Sequence, residues 1–170
     1  MKKHPVVAIA MGSDSDLPVM SETRRVLDEF GVASEVQIVS AHRTPDTCRR
    51  FARGAAGRGV KVIVAGAGMA AHLAGAIAAH TTLPVVGVPL EAEVKGGLDA
   101  WLSTSQMPGG VPVACMAVGR AGAKNAGLLA VEILALRDAR LSKKLAAYRV
   151  RMAREVAAKA KAARSGPARS

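Results

Sequence analysis

The sequence predicts a single α/β domain built on an open, parallel, five-stranded sheet. Three observations carry this prediction. The 170 residues suffice for one core, short apolar runs alternate with longer stretches of helical spacing, and glycine or polar loops follow those runs. Half of the residues are hydrophobic and 22% are charged, which excludes a disordered chain.

The first strand and helix are predicted at residues 6–11 and 16–30. Residues 6–11 form a continuous apolar run, which is typical of a strand buried on both faces of a parallel sheet. The apolar positions of residues 16–30 then follow helical spacing, with Asp16 as the predicted N-cap and Gly31 as the predicted stop. One strand followed by one helix makes the first repeat of the predicted fold.

The same alternation predicts the remaining elements in order. Four more strands are predicted at residues 36–39, 61–65, 84–88 and 113–117, and three more body helices at residues 44–58, 70–79 and 122–136. Thr44 is predicted to cap the second helix, with Pro45 in its first turn. Residues 95–112 are rich in Gly and Pro, so this stretch is predicted to be irregular, either a lid or a long connection.

Charge is concentrated behind this α/β body. Residues 1–136 carry 13 Lys and Arg against 11 Asp and Glu, a net charge of +2, whereas residues 137–170 carry 11 against 2, a net charge of +9. Apolar residues recur there at helical spacing, at Leu141, Leu145, Tyr148, Met152 and Val156. We therefore expect a catalytic domain over 1–136, an amphipathic basic helix over 137–160 that packs on a neighbouring subunit, and a frayed tail over 161–170.

Composition also bears on partners and compartment. The near-neutral body and an aromatic content of 2% argue against nucleic-acid binding. The basic tail leaves that binding open as an alternative, with a steep salt dependence that deletion of residues 157–170 abolishes. No apolar stretch is long enough to cross a bilayer, and Cys48 and Cys115 stand alone, which is typical of a reduced, cytoplasmic chain.

The loop after the second predicted strand has the clearest chemistry. The carboxyl ends of parallel strands form the usual ligand edge of such sheets. His42 there is suited to proton exchange near neutral pH, and Arg43, beside a helix N-terminus, is suited to a phosphate. The alternative is an ordinary surface loop with a capping Thr.

Two more loops reach the same predicted edge. Residues 12–16 offer glycine, hydroxyl and carboxylate groups for an anion or a sugar, with helix capping or a metal as alternatives. Residues 66–71 match G-x-G-x-x-A and Glu91 follows, which also fits a dinucleotide fingerprint, although on the third strand rather than the first. His72 comes next, and it either points over this edge or packs in the core.

Together the motifs resemble a known family. The ordered segments are MGSDSD at 11–16, SAHRTP at 40–45, AGAGMAAHLAG at 65–75, GVP at 87–89, QMPGGVPV at 106–113 and GAKNAGLLA at 122–130. They resemble the 5-(carboxyamino)imidazole ribonucleotide mutases of purine biosynthesis. This resemblance implies a three-layer flavodoxin-like fold, usually a homo-octamer, that moves a carboxylate from the exocyclic nitrogen of a phosphoribosyl imidazole to ring carbon C4 without metal or organic cofactor.

The resemblance also implies roles for individual residues. His42 stands in the place of the general acid and base. The positions that bind the ribotide or line the pocket in the family are occupied here by Ser13, Asp16, Arg43, Ser40, Gly68 and His72.

The chain departs from the family pattern at Leu17, Met69, Ala74 and Thr104–Ser105. Met69 matters most, because it places a side chain in a loop expected near the substrate, where a second Gly is common. The related alternative is an aminoimidazole ribonucleotide carboxylase that takes carbon dioxide directly. Its loop typically reads A-G-R-S-N, whereas residues 65–69 read A-G-A-G-M and an intact A-A-H-L follows, which favours the mutase.

Overall fold

The structure is a computed structural model that describes residues 4–92 and 95–164. The strands in this part of the chain are β1 (Val7–Met11), β2 (Ser34–Ile38), β3 (Val62–Ala67), β4 (Val85–Pro89) and β5 (Ala114–Cys115). The helices are α1 (Leu17–Phe30), α2 (Pro45–Gly54), α3 (Leu73–Ala78), α4 (Leu98–Ser105), α5 (Gly119–Ala135) and α6 (Ala139–Arg164).

The five strands form one parallel sheet in the order β2-β1-β3-β4-β5. The predicted fold class is thereby confirmed. After β1 the chain adds β2 on one side and then returns to place β3 on the other side. This reversal is the topological switch point, where open α/β sheets bind ligands at the carboxyl ends of their strands.

Both faces of the sheet are covered, which explains the unbroken apolar run of β1. Ala8 and Ala10 belong to a buried cluster with Phe51 of α2 and Ile77 of α3. Successive strand side chains point to opposite faces, and Ile9, between these two alanines, is also fully buried. A strand buried on both faces has no polar alternation, as the sequence predicts for residues 6–11.

Helices α1 and α5 are joined by a buried hydrogen bond. The Thr23 hydroxyl, fully buried, donates to the carbonyl oxygen of Ala123 at 2.7 Å. We expect Thr23→Val, which keeps the side-chain shape, to lower the free energy of unfolding by about 1 kcal/mol and Tm by about 2–4 °C. Thermal unfolding measures the shift, with Thr82→Val on the surface as the control; equal losses in the two variants would contradict the prediction.

Helix α4 corrects the prediction of irregular structure over residues 95–112. It is only eight residues long, so its periodicity is weak, and two glycines with φ of 64° and 90°, Gly96 and Gly97, precede it. A Cβ at Gly97 would lie 2.8 Å from the side chain of Val118, so the turn needs glycine there. After α4, Met107 packs closely against Gly75 of α3, which favours a connection over a lid.

Other boundaries also differ from the prediction. Strand β5 is limited to Ala114–Cys115, because only two residue pairs join it to β4 at the sheet edge. Helix α3 begins at Leu73 rather than at residue 70, so His72 precedes the helix instead of lying within it. Strand β2 lies at Ser34–Ile38, slightly earlier than predicted.

Contacts divide the chain into a unit of residues 1–133, which contains the sheet, and a unit of residues 134–170. In the second unit α6 runs to Arg164 and exposes three apolar side chains, Val150, Met152 and Val156. Residues 165–170, part of the tail expected to fray, lie outside the described residues. No helix in the described part of the chain has the length and apolar content that a membrane crossing requires.

A cavity of about 680 Å³ opens at the amino-end edge of the sheet, opposite to the switch-point edge. The end of α3, the segments that lead into β4 and β5, and Ile133 of α5 line it. Small or aliphatic side chains dominate this lining, so the cavity is mainly apolar in character.

Candidate active site

A second cavity, of about 490 Å³, lies where the carboxyl ends of β1 to β4 meet. The loops after all four strands contribute to its wall, as the switch-point rule requires. Six of the predicted site residues line it: Ser13, Asp16, Ser40, His42, Arg43 and Gly68. The seventh, His72, is brought to the same place by its contact with His42.

The loop that carries His42 is held by its own hydrogen bonds. The Thr44 hydroxyl donates to the Ser40 carbonyl oxygen at 3.0 Å and accepts from the Ser40 N–H at 3.1 Å. The Ser40 hydroxyl in turn accepts the N–H of Arg43 at 3.1 Å. Thr44 therefore does not cap α2 with its side chain, contrary to the prediction, because its hydroxyl is engaged in closing this turn.

His42 and His72 form a pair of imidazoles. Nε2 of His42 lies 2.9 Å from Nδ1 of His72, and the two rings meet edge to face at 87°. One proton is shared across this contact, and which ring carries it depends on the tautomers. Both side chains are exposed to solvent, so the pair is accessible for proton exchange with a ligand. The sequence placed both rings at this edge but did not pair them.

Arg43 connects the loops after β1 and β2. Its Nη2 atom donates to the Gly12 carbonyl oxygen at 2.8 Å. The side chain is otherwise exposed and lines the cavity, so the guanidinium has further donors for an anion.

In the loop after β1 the capping side chain is Ser13 rather than Asp16. Ser13 caps a short 3₁₀ turn, Asp14–Asp16, and its N–H donates back to Oδ2 of Asp16 at 3.1 Å. Asp16 occupies the predicted N-cap position of α1, but its backbone is already helical and its side chain makes no cap bond to that helix. The carboxylate instead reaches back to the loop and faces the cavity.

The two carboxyl groups of this loop are tuned in opposite directions. The Ser13 hydroxyl, helped by nearby backbone N–H groups, lowers the pKa of the exposed Asp14. Burial raises the pKa of Asp16, against hydrogen bonds from the N–H groups of Ser13 and Gly12. Keeping Asp16 ionised therefore costs stability, which is typical of a carboxylate retained for binding.

This cost predicts a pH-dependent effect of Asp16→Asn. Because the folded-state pKa lies above the ordinary 3.8, the native state binds more protons between the two values, and stability falls as pH rises through that window. The Asp16→Asn variant has no carboxyl group to ionise at this position, so its stability does not fall in this way. We expect it to be at least as stable as the wild type at pH 7, with the advantage disappearing below about pH 4. Urea unfolding at several pH values measures it, and an advantage that grows toward low pH would contradict the assignment.

The remaining wall of the cavity is apolar. Its buried aliphatic members are Leu73 of α3 and Leu90 after β4. Leu90 packs beside Gly68: a Cβ added at Gly68 would lie 3.7 Å from the Cβ of Leu90. Sequence patterns did not identify Leu73 or Ala92, because the wall depends on the position of α3 and of the loop after β4.

The glycine fingerprint does not form a dinucleotide loop. Gly66 lies within β3, buried, where a Cβ would collide with the side chain of Met20. Helix α3 begins only at Leu73, so no helix N-terminus follows directly on the glycines as a pyrophosphate site requires. Packing in the sheet accounts for Gly66.

In chemical terms the cavity combines four kinds of group. A proton-exchanging imidazole pair lies beside a cationic guanidinium and a half-buried carboxylate, and an apolar wall completes the site. Such a site suits a small ligand with an anionic group, hydroxyl groups and a flat apolar body.

Comparisons with known proteins agree with this arrangement. The profile of the family described as AIR carboxylase matches residues 6–155. The chain is 53% identical over 156 residues to the N5-carboxyaminoimidazole ribonucleotide mutase of Thermotoga maritima, covering 92% of this chain and 90% of the relative. It is 55% identical over 141 residues to the protein of that name from Bacillus subtilis, covering 83% and 87%.

A solved structure supports the same conclusion. The crystal structure of Treponema denticola PurE superposes with a TM-score of 0.81 at 27% identity, covering 89% of this chain and 94% of that one. The family profile spans most of the chain, and two relatives exceed 50% identity. The chain therefore belongs to the AIR carboxylase family.

Proposed function

We propose that this protein is a mutase that converts 5-(carboxyamino)imidazole ribonucleotide to 4-carboxy-5-aminoimidazole ribonucleotide in purine biosynthesis. The observation that carries the proposal is the single cavity that joins the His42–His72 pair, the Arg43 guanidinium and an apolar wall. The name of the relatives that are more than half identical supports the same reaction.

Binding in this proposal uses the polar half of the cavity. Arg43 receives the phosphate, since the guanidinium donors suit its oxygens. The Asp16 carboxylate accepts hydrogen bonds from the ribose hydroxyl groups, and the Ser13 hydroxyl can donate to them or accept from them. The imidazole ring of the substrate then lies against Leu90 and Gly68, near the histidine pair.

The chemical step needs one group that gives and later takes a proton. In its protonated form His42 donates to the exocyclic nitrogen as the nitrogen–carboxylate bond breaks, the bonding electrons remain on nitrogen, and carbon dioxide is released within the cavity. Ring carbon C4 then attacks carbon dioxide, and His42 removes the C4 proton, which restores the aromatic ring and the protonated histidine. The contact between Nε2 of His42 and Nδ1 of His72 orients the His42 ring.

This sequence is balanced without another reactant. One carbon–nitrogen bond breaks, one carbon–carbon bond forms, and the proton gained by nitrogen is matched by the proton lost from C4. No change of oxidation state occurs, so the proposed reaction calls for no redox cofactor.

The alternative is the carboxylase reaction for which the family is named. A direct assay separates the two: the purified protein receives 5-(carboxyamino)imidazole ribonucleotide in buffer free of bicarbonate and ATP. We expect the C4-carboxylated product, followed by its ultraviolet absorbance. If product forms only from aminoimidazole ribonucleotide and added bicarbonate, the protein is a carboxylase and the mutase proposal is wrong. If neither assay gives product, both reactions are rejected.

Assembly and compartment extend the proposal. We place the enzyme in the cytoplasm as a homo-octamer, as the resemblance implies, with the α6 stripe packed on a neighbouring subunit. Two members of the apolar stripe predicted on this helix, Met152 and Val156, are exposed on α6, and they support such a contact. The cysteines Cys48 and Cys115 are both unpaired, which fits a reducing compartment. Light scattering should give eight times the mass of one chain, and a monomer would reject the assembly.

A further inference from the structure

We propose that Met69 covers the bound imidazole and retains carbon dioxide between its release and its recapture. This inference rests on the proposed mutase reaction and assigns a further residue to it. The evidence is the backbone strain at Met69, the exposure of its side chain, and its place on the apolar side of the cavity.

The backbone at Met69 is strained. Its φ is 55°, and it is the one non-glycine residue with positive φ in residues 4–92 and 95–164. An unbranched side chain in this region costs free energy that glycine would not, since its Cβ crowds the backbone. Strain of this kind persists where a side chain has a use, and it clusters at ligand sites.

The side chain stands at the rim rather than in the wall. Met69 is 70% exposed, whereas the other long apolar side chains that line the cavity, Leu73 and Leu90, are 3% and 4% exposed. The two leucines are fixed by packing, so they form a wall that cannot move over a ligand. Met69, with an unbranched and flexible thioether chain, is free to fold onto one.

Carbon dioxide needs a barrier of this kind. It is small and neutral, so Arg43 and Asp16 offer it no strong attraction, and only excluded volume slows its escape from an open cavity. The substrate body fills the polar half, where the ribotide groups bind. A methionine folding over the apolar half would close the remaining exit and exclude water from the reacting atoms.

The test follows the carboxyl carbon. Substrate labelled with ¹³C in its carboxylate is converted in unlabelled bicarbonate buffer with carbonic anhydrase, so that escaped carbon dioxide is diluted at once. Mass spectrometry then measures the label retained in the C4-carboxylated product. The variants are Met69→Ala and Met69→Gly, with Met69→Leu as the size-matched control and Leu136→Ala as a control for loss of an exposed apolar side chain.

We expect the wild type, Met69→Leu and Leu136→Ala to retain most of the label. Met69→Ala and Met69→Gly should each lose label more readily, by about threefold or more. Met69→Gly also relieves the strain, so it should unfold at the same or a higher temperature, which supplies a folded variant if Met69→Ala is unstable.

Several outcomes would contradict the inference or the proposed function on which it rests. Retention in Met69→Ala equal to that of the wild type would overturn the cover, as would loss of label in Met69→Gly alone, since that assigns the effect to the backbone. Retention in a folded Met69→Gly equal to that of the wild type would overturn it as well. A wild type whose product carries no label would overturn the retention of carbon dioxide, whereas a wild type that forms no C4-carboxylated product, labelled or unlabelled, rejects the mutase reaction itself before any variant is compared.

Discussion

Replacing His42 by asparagine is expected to lower kcat for the isomerisation roughly 10³-fold or more, because one positioned acid or base contributes about 10² to 10⁴. Both proton transfers of the proposed reaction pass through this ring, so both fail together. Affinity for the ribotide should change little, since asparagine fits the turn between Ser40 and Thr44, which is closed by other groups.

The measurement combines steady-state kinetics with calorimetric titration of the C4-carboxylated product. His80→Asn is the matched control. This histidine follows the C-terminal end of α3, whereas the active-site cavity lies at the N-terminal end of that helix. We expect the control to keep its rate. A His42→Asn variant with a near-normal kcat, or one that loses product affinity in step with its rate, would remove His42 from the acid and base role.

Loss of the Arg43 side chain should act on binding. We expect Arg43→Ala to raise KM about 10- to 100-fold, the equivalent of a charged hydrogen bond of about 1.5–3 kcal/mol. The effect on kcat should be smaller. Arg43→Lys keeps the charge but not the planar fork, so its KM should lie between the values for Arg43→Ala and the wild type.

Arg50→Ala provides the control for Arg43, because it removes the same charge from an exposed position on α2, where Arg50 donates only to Thr47 among its side-chain partners in the structure. Titration with the product at two salt concentrations separates a direct phosphate contact from a general loss of positive charge. Equal weakening by both substitutions would show that Arg43 contributes through charge alone and does not contact the phosphate.

Strands β1, β3 and β4 were predictable because burial on both faces leaves a plain apolar signal in the sequence. Four of the five apolar runs lie where β1 to β4 form, and Gly31, with φ of 73°, ends α1 as expected. Helix α4 was missed because its eight residues are bordered by glycines and prolines that normally break helices. Strand β5 was overestimated because its apolar run continues beyond the two residues that have a pairing partner.

The site was predictable at the level of loops but not of contacts. Motifs after β1, β2 and β3 could be assigned to one edge, because parallel strands end together. The contact between His42 and His72 depends on β1 lying between β2 and β3 and on the path into α3, which no local pattern encodes. The hydrogen bonds of Asp16 could not be predicted either, because an Asp that caps a helix and a half-buried Asp that accepts from its own loop look alike in sequence.

The cavity at the amino-end edge of the sheet, lined by residues such as Ala78, Val111 and Ile133, has a consequence for engineering. Its space lies on the side of the sheet that carries no part of the proposed chemistry. Larger aliphatic side chains introduced there can add packing without disturbing the four loops of the catalytic edge. The fold thus separates a region where thermostability can be improved from the region where activity must be preserved.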